Sequence, residues 1–211
     1  MPPEIPPVLG LLLAGGQAQR MGGGDKALRP LGGETLLARV LDPVSLQVRR
    51  VILNANGDPA RFAGFGLPVV ADSIPGFAGP LAGVLAGLEW ARTLAPDIPW
   101  VASFATDAPF VPRDLVARLT AAVHAEKAEL ACAASGGRTH PVFGLWPVSL
   151  AENLRHALVD EGVRKVEDWM LRFSVAVVEY PIKPLDPFFN ANRPEDLAQA
   201  ERLLKSLNPA P

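Results

Sequence analysis

The chain has 211 residues, of which 49% are hydrophobic and 20% are charged, and its formal net charge is -2. This apolar content suffices for one sizeable core, and the charge provides no bulk attraction to nucleic acid or to an anionic membrane. The longest apolar stretch, Val8 to Ala14, is too short to span a bilayer and lacks the basic flank of a signal peptide. We therefore expect a cytoplasmic protein with one domain, residues 1–211, and neither nucleic acid nor a membrane as a partner.

Apolar runs of strand length alternate with longer amphipathic stretches along the chain. The predicted strands are Val8–Ala14, Arg50–Asn54, Pro68–Val70, Trp100–Ala105, Glu129–Ala134, Thr139–Trp146 and Ser174–Glu179. The predicted helices are Thr35–Leu46, Leu81–Leu94, Arg113–Ala125, Val148–Asp160, Val163–Leu171 and Pro194–Leu207. Several strands are almost continuously apolar, as expected where helices cover both faces of a parallel sheet. The alternation predicts an α/β fold with a single doubly wound, mainly parallel sheet of the Rossmann-like type.

A glycine-rich segment, LLLAGGQAQRMGGGDK, runs from Leu11 to Lys26 at the end of the first predicted strand. Glycines let the backbone approach a ligand closely and turn several N–H groups toward one point, which suits phosphate oxygens. Arg20 and Lys26 add positive charge, so a nucleoside triphosphate is the simplest ligand. The alternative is a flexible connection, because the segment does not match a P-loop and fits a dinucleotide fingerprint only weakly.

Polar residues stand where the predicted strands end. Asn54 and Asn56 follow the second strand, Asp72 follows the third, and Thr106 and Asp107 follow the fourth. In doubly wound sheets, ligands bind outside the carboxyl ends of the parallel strands. We therefore expect these side chains and the glycine-rich segment to meet at one rim.

Asp107 is the residue that we expect to hold a metal ion. Mg²⁺ takes few protein carboxylates and keeps its other positions for water and phosphate, and Mn²⁺ could replace it. The alternative is that Asp107 caps the helix that starts near Pro112. Asp72 and Asn54 suit recognition of a guanine base or a ribose, because a carboxylate accepts two hydrogen bonds and an amide both donates and accepts. Their alternative role is that of turn residues.

Two further segments carry candidate residues. Gly79 and Gly83 frame the start of a predicted helix, where they would either allow a ligand to approach closely or simply form the helix entry. Asn190 and Asn192 precede the last predicted helix, and Asn192 is placed either to cap that helix or to contact the metal or a second substrate.

Two residues with reactive side chains have structural interpretations. Cys132 is the one cysteine and lies in an apolar run, which indicates a small buried side chain in a protein from a reducing compartment. His140 precedes Pro141 at the start of a predicted strand, and the sequence supplies no nucleophile to pair with it.

The glycine-rich segment is similar to the LAGGxxxRMGGxDK signature of the molybdenum cofactor guanylyltransferases, the MobA family. The segments VILNAN, VVADSIPGFAGPLAGVLAGL, FATDAPFVP, RTHPVFGLW and FFNANRPEDLAQAE each resemble a block of that family, in the same order, so the resemblance extends from about Val8 to Ala200. Many nucleotidyltransferases of the GT-A-like fold share LAGG. The combination of RMGGxDK, GPLAG, HP and NxNxPEDL is more specific.

This resemblance implies transfer of GMP from GTP to molybdenum-loaded molybdopterin, with release of pyrophosphate and with Mg²⁺ bound at Asp107. Lys26, Asp107 and Arg20 would be catalytic residues. The residues implied to bind GTP are Leu13, Ala14, Gly15, Lys26, Asn54, Asp72 and Asp107. Arg20, Gly22 and Gly79 match family positions near the nucleotide, and Asn190 and Asn192 match positions linked to the pterin substrate. Insertion chaperones or molybdoenzyme apoproteins would be transient partners.

Two other functions remain open at this point. One is a related nucleotidyltransferase that uses CTP or a sugar phosphate, since the LAGG loop does not separate these substrates. The other is a non-catalytic nucleotide-binding module, against which Arg20, Lys26 and Asp107 together argue. The sequence departs from many family members at Thr106, where they carry cysteine, and the segment Ser73–Phe77 is the least family-like part.

Overall fold

The computed structural model describes residues 6–15, 25–76 and 79–207, so that Arg20 and Gly22 lie outside the described residues. The strands are β1 (Val8–Leu13), β2 (Pro30–Leu31), β3 (Glu34–Thr35), β4 (Arg50–Asn54), β5 (Val69–Val70), β6 (Trp100–Ala105), β7 (Leu130–Ser135), β8 (Arg138–Pro147) and β9 (Val175–Tyr180). The α-helices are α1 (Leu36–Ser45), α2 (Pro80–Leu94), α3 (Leu115–Glu126), α4 (Ala151–Val159), α5 (Val166–Met170) and α6 (Pro194–Leu207). Short 3₁₀ helices cover Lys26–Leu28, Pro59–Phe65 and Val148–Leu150.

Seven of these strands form one sheet in the order β5-β4-β1-β6-β8-β7-β9. The pairs β4–β5, β1–β4, β1–β6 and β7–β9 are parallel. Strand β8 is antiparallel to both of its neighbours, β6 and β7. The predicted α/β fold with a mainly parallel sheet is confirmed, and β8 is the reversed strand within it.

Helices cover both faces of the sheet, as the apolar strands predicted. Along β1, Val8 and Leu12 belong to the core on the side of α1 and α3, while Leu9 and Leu11 belong to the core on the side of α2, α4 and α5. All four side chains are at most 1% exposed. Successive residues of a strand point to opposite faces, so a continuously apolar strand supplies both cores.

Three elements differ from the sequence prediction. The predicted helix Val148–Asp160 begins as a 3₁₀ turn and becomes α-helical only at Ala151. The predicted helix Val163–Leu171 shortens to α5, because Gly162 adopts a positive φ of 71° and the Val163 N–H bonds back to the carbonyl of Ala157, which ends α4 before an extended stretch. The hairpin of β2 and β3 is an addition that the prediction missed.

No helix within residues 6–15, 25–76 and 79–207 combines the length and the apolar character that crossing a bilayer requires.

Candidate active site

A cleft of about 940 Å³ opens along the rim where β1, β4, β5 and β6 end. Nearly all of the predicted site residues that the structure describes line it: Leu13, Ala14, Gly15, Lys26, Asn54, Asp72, Gly79, Asp107 and Asn190. The exception, Asn192, bonds to Lys26. The convergence that the strand ends predicted is therefore present, although the residues come from segments more than 160 positions apart.

Lys26 joins three separate segments at the centre of the cleft. Its Nζ lies 2.6 Å from Asp107 Oδ2 and also donates a hydrogen bond to Asn192 Oδ1. The Lys26 and Asp107 side chains are only 12% and 24% exposed, so water screens this ion pair less than a surface pair. An ammonium group has three N–H donors, and two of them are engaged by these contacts. No acceptor among the described residues engages the third, which leaves it for a ligand.

The turn before α6 is held against Asp107 through its backbone. Ala191 is fully buried, and its N–H donates to the Asp107 carbonyl at 2.8 Å. Asp196 Oδ2 accepts hydrogen bonds from the N–H groups of Asn192, at 2.9 Å, and Arg193, at 2.8 Å. The carboxylate of Asp196 thus accepts the hydrogen bonds of the backbone N–H groups just before α6. The carboxamide of Asn192 bonds to Lys26 instead of capping the helix.

Asp107 does not cap the following helix, because α3 begins only at Leu115 and the carboxylate bonds to Lys26. Its other oxygen, Oδ1, is buried and accepts no hydrogen bond from the described residues. A buried carboxylate oxygen normally has a partner, so this one is available to a cation. Mg²⁺ is commonly held by one or two carboxylates together with substrate phosphates, and one carboxylate on the cleft wall fits that pattern. The described residues contain no group of three His, Cys, Asp or Glu side chains that could hold a metal alone.

The ends of β4 and β5 form a hydrogen-bonded group of Asn54, Asn56 and Asp72, which we call the nucleotide end after the role that the sequence analysis expects of Asn54 and Asp72. Asn54 Nδ2 donates to Asp72 Oδ1 at 2.9 Å, and Asn56 Nδ2 donates to Asp72 Oδ2 at 2.8 Å. Asn56 Oδ1 accepts from the Asp72 N–H at 2.9 Å. Each carboxylate oxygen keeps a second lone pair, so Asp72 can still accept two hydrogen bonds from the edge of a base.

The exit from β1 is held between its two neighbouring strands. The Ala14 N–H donates to the Asn54 carbonyl at 2.9 Å. The Leu13 carbonyl accepts from the Thr106 N–H at 3.3 Å and from Thr106 Oγ1 at 3.0 Å. Thr106 therefore has a structural task. Gly15 follows directly, and no atom of the part of the chain that the structure describes lies within 4 Å of the position that a Cβ would occupy there.

The two glycines near the start of α2 have different surroundings. Gly79 precedes the helix with a φ of 139°, a conformation that favours glycine, and it lines the cleft. Gly83 lies inside the helix, where a Cβ would meet Asn54 Oδ1 and would come within 2.6 Å of Leu13 Cδ2. Gly83 consequently allows α2 to approach β1 and β4, and not a ligand as one interpretation of the sequence suggested.

One wall of the cleft was missed by the sequence analysis. It consists of residues 138–143 at the start of β8, which we call the β8 wall. Because β8 runs antiparallel to β6, its first residues stand on the rim where β6 ends. Ser103 ties the two strands together, since its Oγ donates to the Val142 carbonyl at 2.6 Å and accepts from Trp146 Nε1 at 2.8 Å. The charged and aromatic residues of RTHP were the available signal.

His140 in the β8 wall has partners that the sequence did not reveal. Its Nε2 lies 2.8 Å from Ser135 Oγ, which in turn donates to Asp186 Oδ1 at 2.9 Å. The ring packs against Phe188 with a centroid separation of 4.8 Å. Burial lowers the pKa of His140, and the charge of Asp186 opposes that shift. Because Ser135 donates its hydroxyl hydrogen to Asp186, the network assigns the imidazole hydrogen to Nε2 and leaves Nδ1 with a lone pair that no donor among the described residues meets.

Cys132 is 1% exposed in the core beneath α5. Burial, with a smaller contribution from the negative charge of Glu167, raises the pKa of its thiol to about 11. The interpretation of Cys132 as a small core residue is confirmed.

Comparisons with known proteins agree with this geometry. The model of the MobA-like NTP transferase domain matches residues 10–173. A molybdenum cofactor guanylyltransferase from Bradyrhizobium sp. is 62% identical over 196 residues, which are 93% of this chain and 92% of that protein. The crystal structure of molybdopterin-guanine dinucleotide biosynthesis protein A from Archaeoglobus fulgidus superposes with a TM-score of 0.72 at 23% identity, covering 94% of this chain and 99% of that one. A Mycobacterium tuberculosis protein crystallised with manganese gives 0.64 at 18% identity, covering 92% and 98%.

Proposed function

Because this chain belongs to the MobA-like NTP transferase family, we propose that it is a molybdenum cofactor guanylyltransferase, which transfers GMP from GTP to molybdenum-loaded molybdopterin and releases pyrophosphate. The structural observation that carries the proposal is the contact of Lys26 with Asp107 and Asn192 at the centre of the cleft. A cation, a carboxylate with a free oxygen and a carboxamide there suit a reaction at a phosphorus atom.

The arrangement of the cleft suggests how GTP lies in it. Asp72 and Asn54 would bind the guanine base, and the backbone from Leu13 to Gly15 would approach the phosphates. With GTP in this orientation, the α-phosphate would lie near Asp107, where Lys26 has an N–H donor that no described residue engages. Arg20, which lies outside the described residues, is proposed to act on the same phosphates.

The reaction requires no nucleophile from the protein. An oxygen of the acceptor phosphate attacks the α-phosphorus of GTP, a new P–O bond forms, and the bond to the β-phosphate oxygen breaks with its electron pair leaving on pyrophosphate. The chain's residues position the two phosphates and stabilise charge. Lys26 holds the charge that develops on the leaving group, and Asn192 fixes the direction of the ammonium group.

A divalent cation fits at the free oxygen of Asp107. Mg²⁺ bound there would neutralise negative charge on the phosphates. The buried, unpartnered Oδ1 supports this assignment, and the manganese in the Mycobacterium tuberculosis protein supports a divalent metal in this fold. We propose that Mg²⁺ is the ion used and that Mn²⁺ can replace it.

We further propose that the reaction takes place in the cytoplasm and that the product passes to insertion chaperones or molybdoenzyme apoproteins through transient contacts. The single cysteine suits a reducing compartment, and a labile cofactor calls for direct handover.

The decisive experiment incubates the protein with Mg²⁺, molybdenum-loaded molybdopterin and each of GTP, CTP, ATP and UTP, and measures the dinucleotide product and pyrophosphate. We expect product with GTP and at least about tenfold less with CTP, because the pairing of Asp72 with a guanine edge has no equivalent in cytosine. A preference for CTP would instead identify a related cytidylyltransferase. Nucleotide binding without product would identify a non-catalytic module.

A further inference from the structure

The β8 wall stands on the opposite side of Asp107 from the nucleotide end. In the sheet order β4-β1-β6-β8, it lies one strand from the end of β6 and three strands from the end of β4. At about 4.8 Å per strand, these separations are about 5 Å and about 14 Å. A nucleotide whose base lies at Asp72 and whose α-phosphate lies at Asp107 therefore leaves the space along the β8 wall for the second substrate.

Arg138 provides an unengaged cation in this space. Its side chain is exposed on the cleft, and its guanidinium forms no hydrogen bond or ion pair with residues 6–15, 25–76 or 79–207. Other arginines of the chain are paired, for example Arg155 with Glu89 and Arg172 with Glu161. A guanidinium presents a planar fork of N–H donors that matches two oxygens of a phosphate.

His140, two residues further along β8, provides a nitrogen whose position is fixed. Its Nε2 is bound to Ser135, Ser135 is bound to Asp186, and the ring is packed on Phe188. The remaining nitrogen, Nδ1, makes no hydrogen bond with the described residues although His140 lines the cleft. This nitrogen therefore faces the cleft with a lone pair that a ligand could use.

We propose that Arg138 and His140 form the subsite for the phosphomonoester of the acceptor, an inference that rests on the proposed function. Arg138 binds two oxygens of this phosphate, and His140 Nδ1 binds the third. The proposed active site thus has three parts, which are the nucleotide end, a centre at Asp107 and an acceptor end at the β8 wall.

The subsite also provides an acceptor for the last ionisable proton of the acceptor phosphate. A phosphomonoester loses its second proton with a pKa of about 6, so part of it arrives as the monoanion. His140 Nδ1 accepts that proton, and the imidazolium then donates a charge-assisted hydrogen bond to the dianion. Burial disfavours the imidazolium, and the negative charge of Asp186, which is bound to Ser135, offsets part of that cost. A phosphate oxygen of the dianion then attacks the α-phosphorus, and pyrophosphate leaves.

The test compares molybdopterin with its dephosphorylated form. Affinity for each is measured by titration into the protein saturated with Mg²⁺ and a GTP analogue whose α,β-bridge is a methylene group. We expect Arg138→Ala to weaken binding of molybdopterin about 10- to 100-fold, since a charge-assisted hydrogen bond is lost. Binding of the dephosphorylated form should change less than about twofold. His140→Gln should produce a smaller loss with the same selectivity for the phosphorylated ligand.

Steady-state kinetics provide the second readout. Arg138→Ala, His140→Gln and the positioning variant Ser135→Ala should raise the KM for the acceptor and leave the KM for GTP unchanged. Arg113→Ala removes an arginine from an exposed pair with Asp42, neither of which lines the cleft, and should match the wild type in both KM values. Arg138 is exposed, so its variant folds even if a change at His140 does not.

Failure of the proposed subsite and failure of the proposed function would give different results. If the wild type forms the dinucleotide but Arg138→Ala binds phosphorylated and dephosphorylated acceptor as the wild type does, the subsite is wrong and the proposed function stands. If the wild type forms no product with any nucleotide, the proposed function is wrong, and the subsite that rests on it is wrong with it.

Discussion

The nucleotide end and the β8 wall line one cleft, yet the chain builds them in opposite ways. At the nucleotide end, Asn54 is the last residue of β4 and Asp72 follows β5, so that both parallel strands reach the rim with their carboxyl ends. At the β8 wall, Arg138 and His140 are the first and third residues of an antiparallel strand, which reaches the same rim with its beginning. The direction of a strand therefore decides whether its beginning or its end can take part in binding.

The two regions also differ in how their side chains are used. Asp72 receives hydrogen bonds from both neighbouring asparagines, and its geometry is set before a ligand arrives. Arg138 is unpaired among the described residues, and its fork of N–H donors is available. This difference suits the proposed roles, since fixed hydrogen-bond acceptors at the nucleotide end would recognise the edge of a base and the guanidinium of the β8 wall would bind a phosphate.

The largest effect is expected at the centre, where both regions meet. Asp107→Ala and Lys26→Ala should each lower kcat by about 100- to 1,000-fold, because each removes charge stabilisation at the reacting phosphate. The circular dichroism spectrum should remain that of the wild type. Exposed controls are Asp97→Ala and Lys205→Ala, which should keep full activity. Pyrophosphate release by Asp107→Ala at a near-normal rate would remove Asp107 from its assigned role.

A change at the nucleotide end should affect the KM for GTP and not the KM for the acceptor, which is the reverse of the effect expected for Arg138→Ala. Asp72→Asn replaces one acceptor oxygen by an amide that cannot accept from a base. The KM for GTP should rise about tenfold, and the preference for GTP over inosine triphosphate, which lacks the 2-amino group, should disappear. The KM for the acceptor should stay at its wild-type value. An unchanged preference between the two nucleotides would place the guanine elsewhere.

The packing beneath the nucleotide end provides a stability test. Gly83→Ala brings a methyl group against Leu13 and Asn54 and should reduce the free energy of unfolding by about 1–3 kcal/mol. It should also raise the KM for GTP, since Asn54 must shift. Gly64→Ala is the matched control, because a Cβ there meets no atom of the described residues within 4 Å. Denaturant titrations of the two variants measure the difference, and equal midpoints would mean that α2 can move away without cost.

The smallest effect concerns the pH dependence of stability at the β8 wall. Burial and the charge of Arg138 lower the pKa of His140, while Asp186 and Glu179 act in the opposite direction. The net shift is downward, so the unfolded chain binds more protons at this site and stability falls as the pH drops below about 7. The Tm of both proteins should fall between pH 7.5 and 5.5. The fall should be about 1–2 °C smaller for His140→Gln than for the wild type. An equal fall would show that His140 does not contribute.

Much of the fold was predictable because it depends on local patterns. Apolar runs specified β1, β4 and β6, and the bounds of α6 match the prediction, since Pro194 suits the first turn of a helix. The sequence prediction was wrong or undecided where contacts between residues distant in the chain determine the local structure. The start of α5 depends on the hydrogen bond of Val163 to Ala157, and the alternative for Asn192 was decided by Asp196 and Lys26.

The sequence by itself determined which residues gather at the rim, because the carboxyl ends of parallel strands lie at one edge of the sheet and a polar residue that follows such a strand lies there too. Lys26, Asn54, Asp72 and Asp107 could be named on that ground and from the resemblance to the family, and the structure brings them to one cleft. Only the tertiary structure decided what Arg138 and His140 face. A strand's hydrophobic pattern is the same in both directions, so its orientation is set by the partners that it pairs with and not by its own residues.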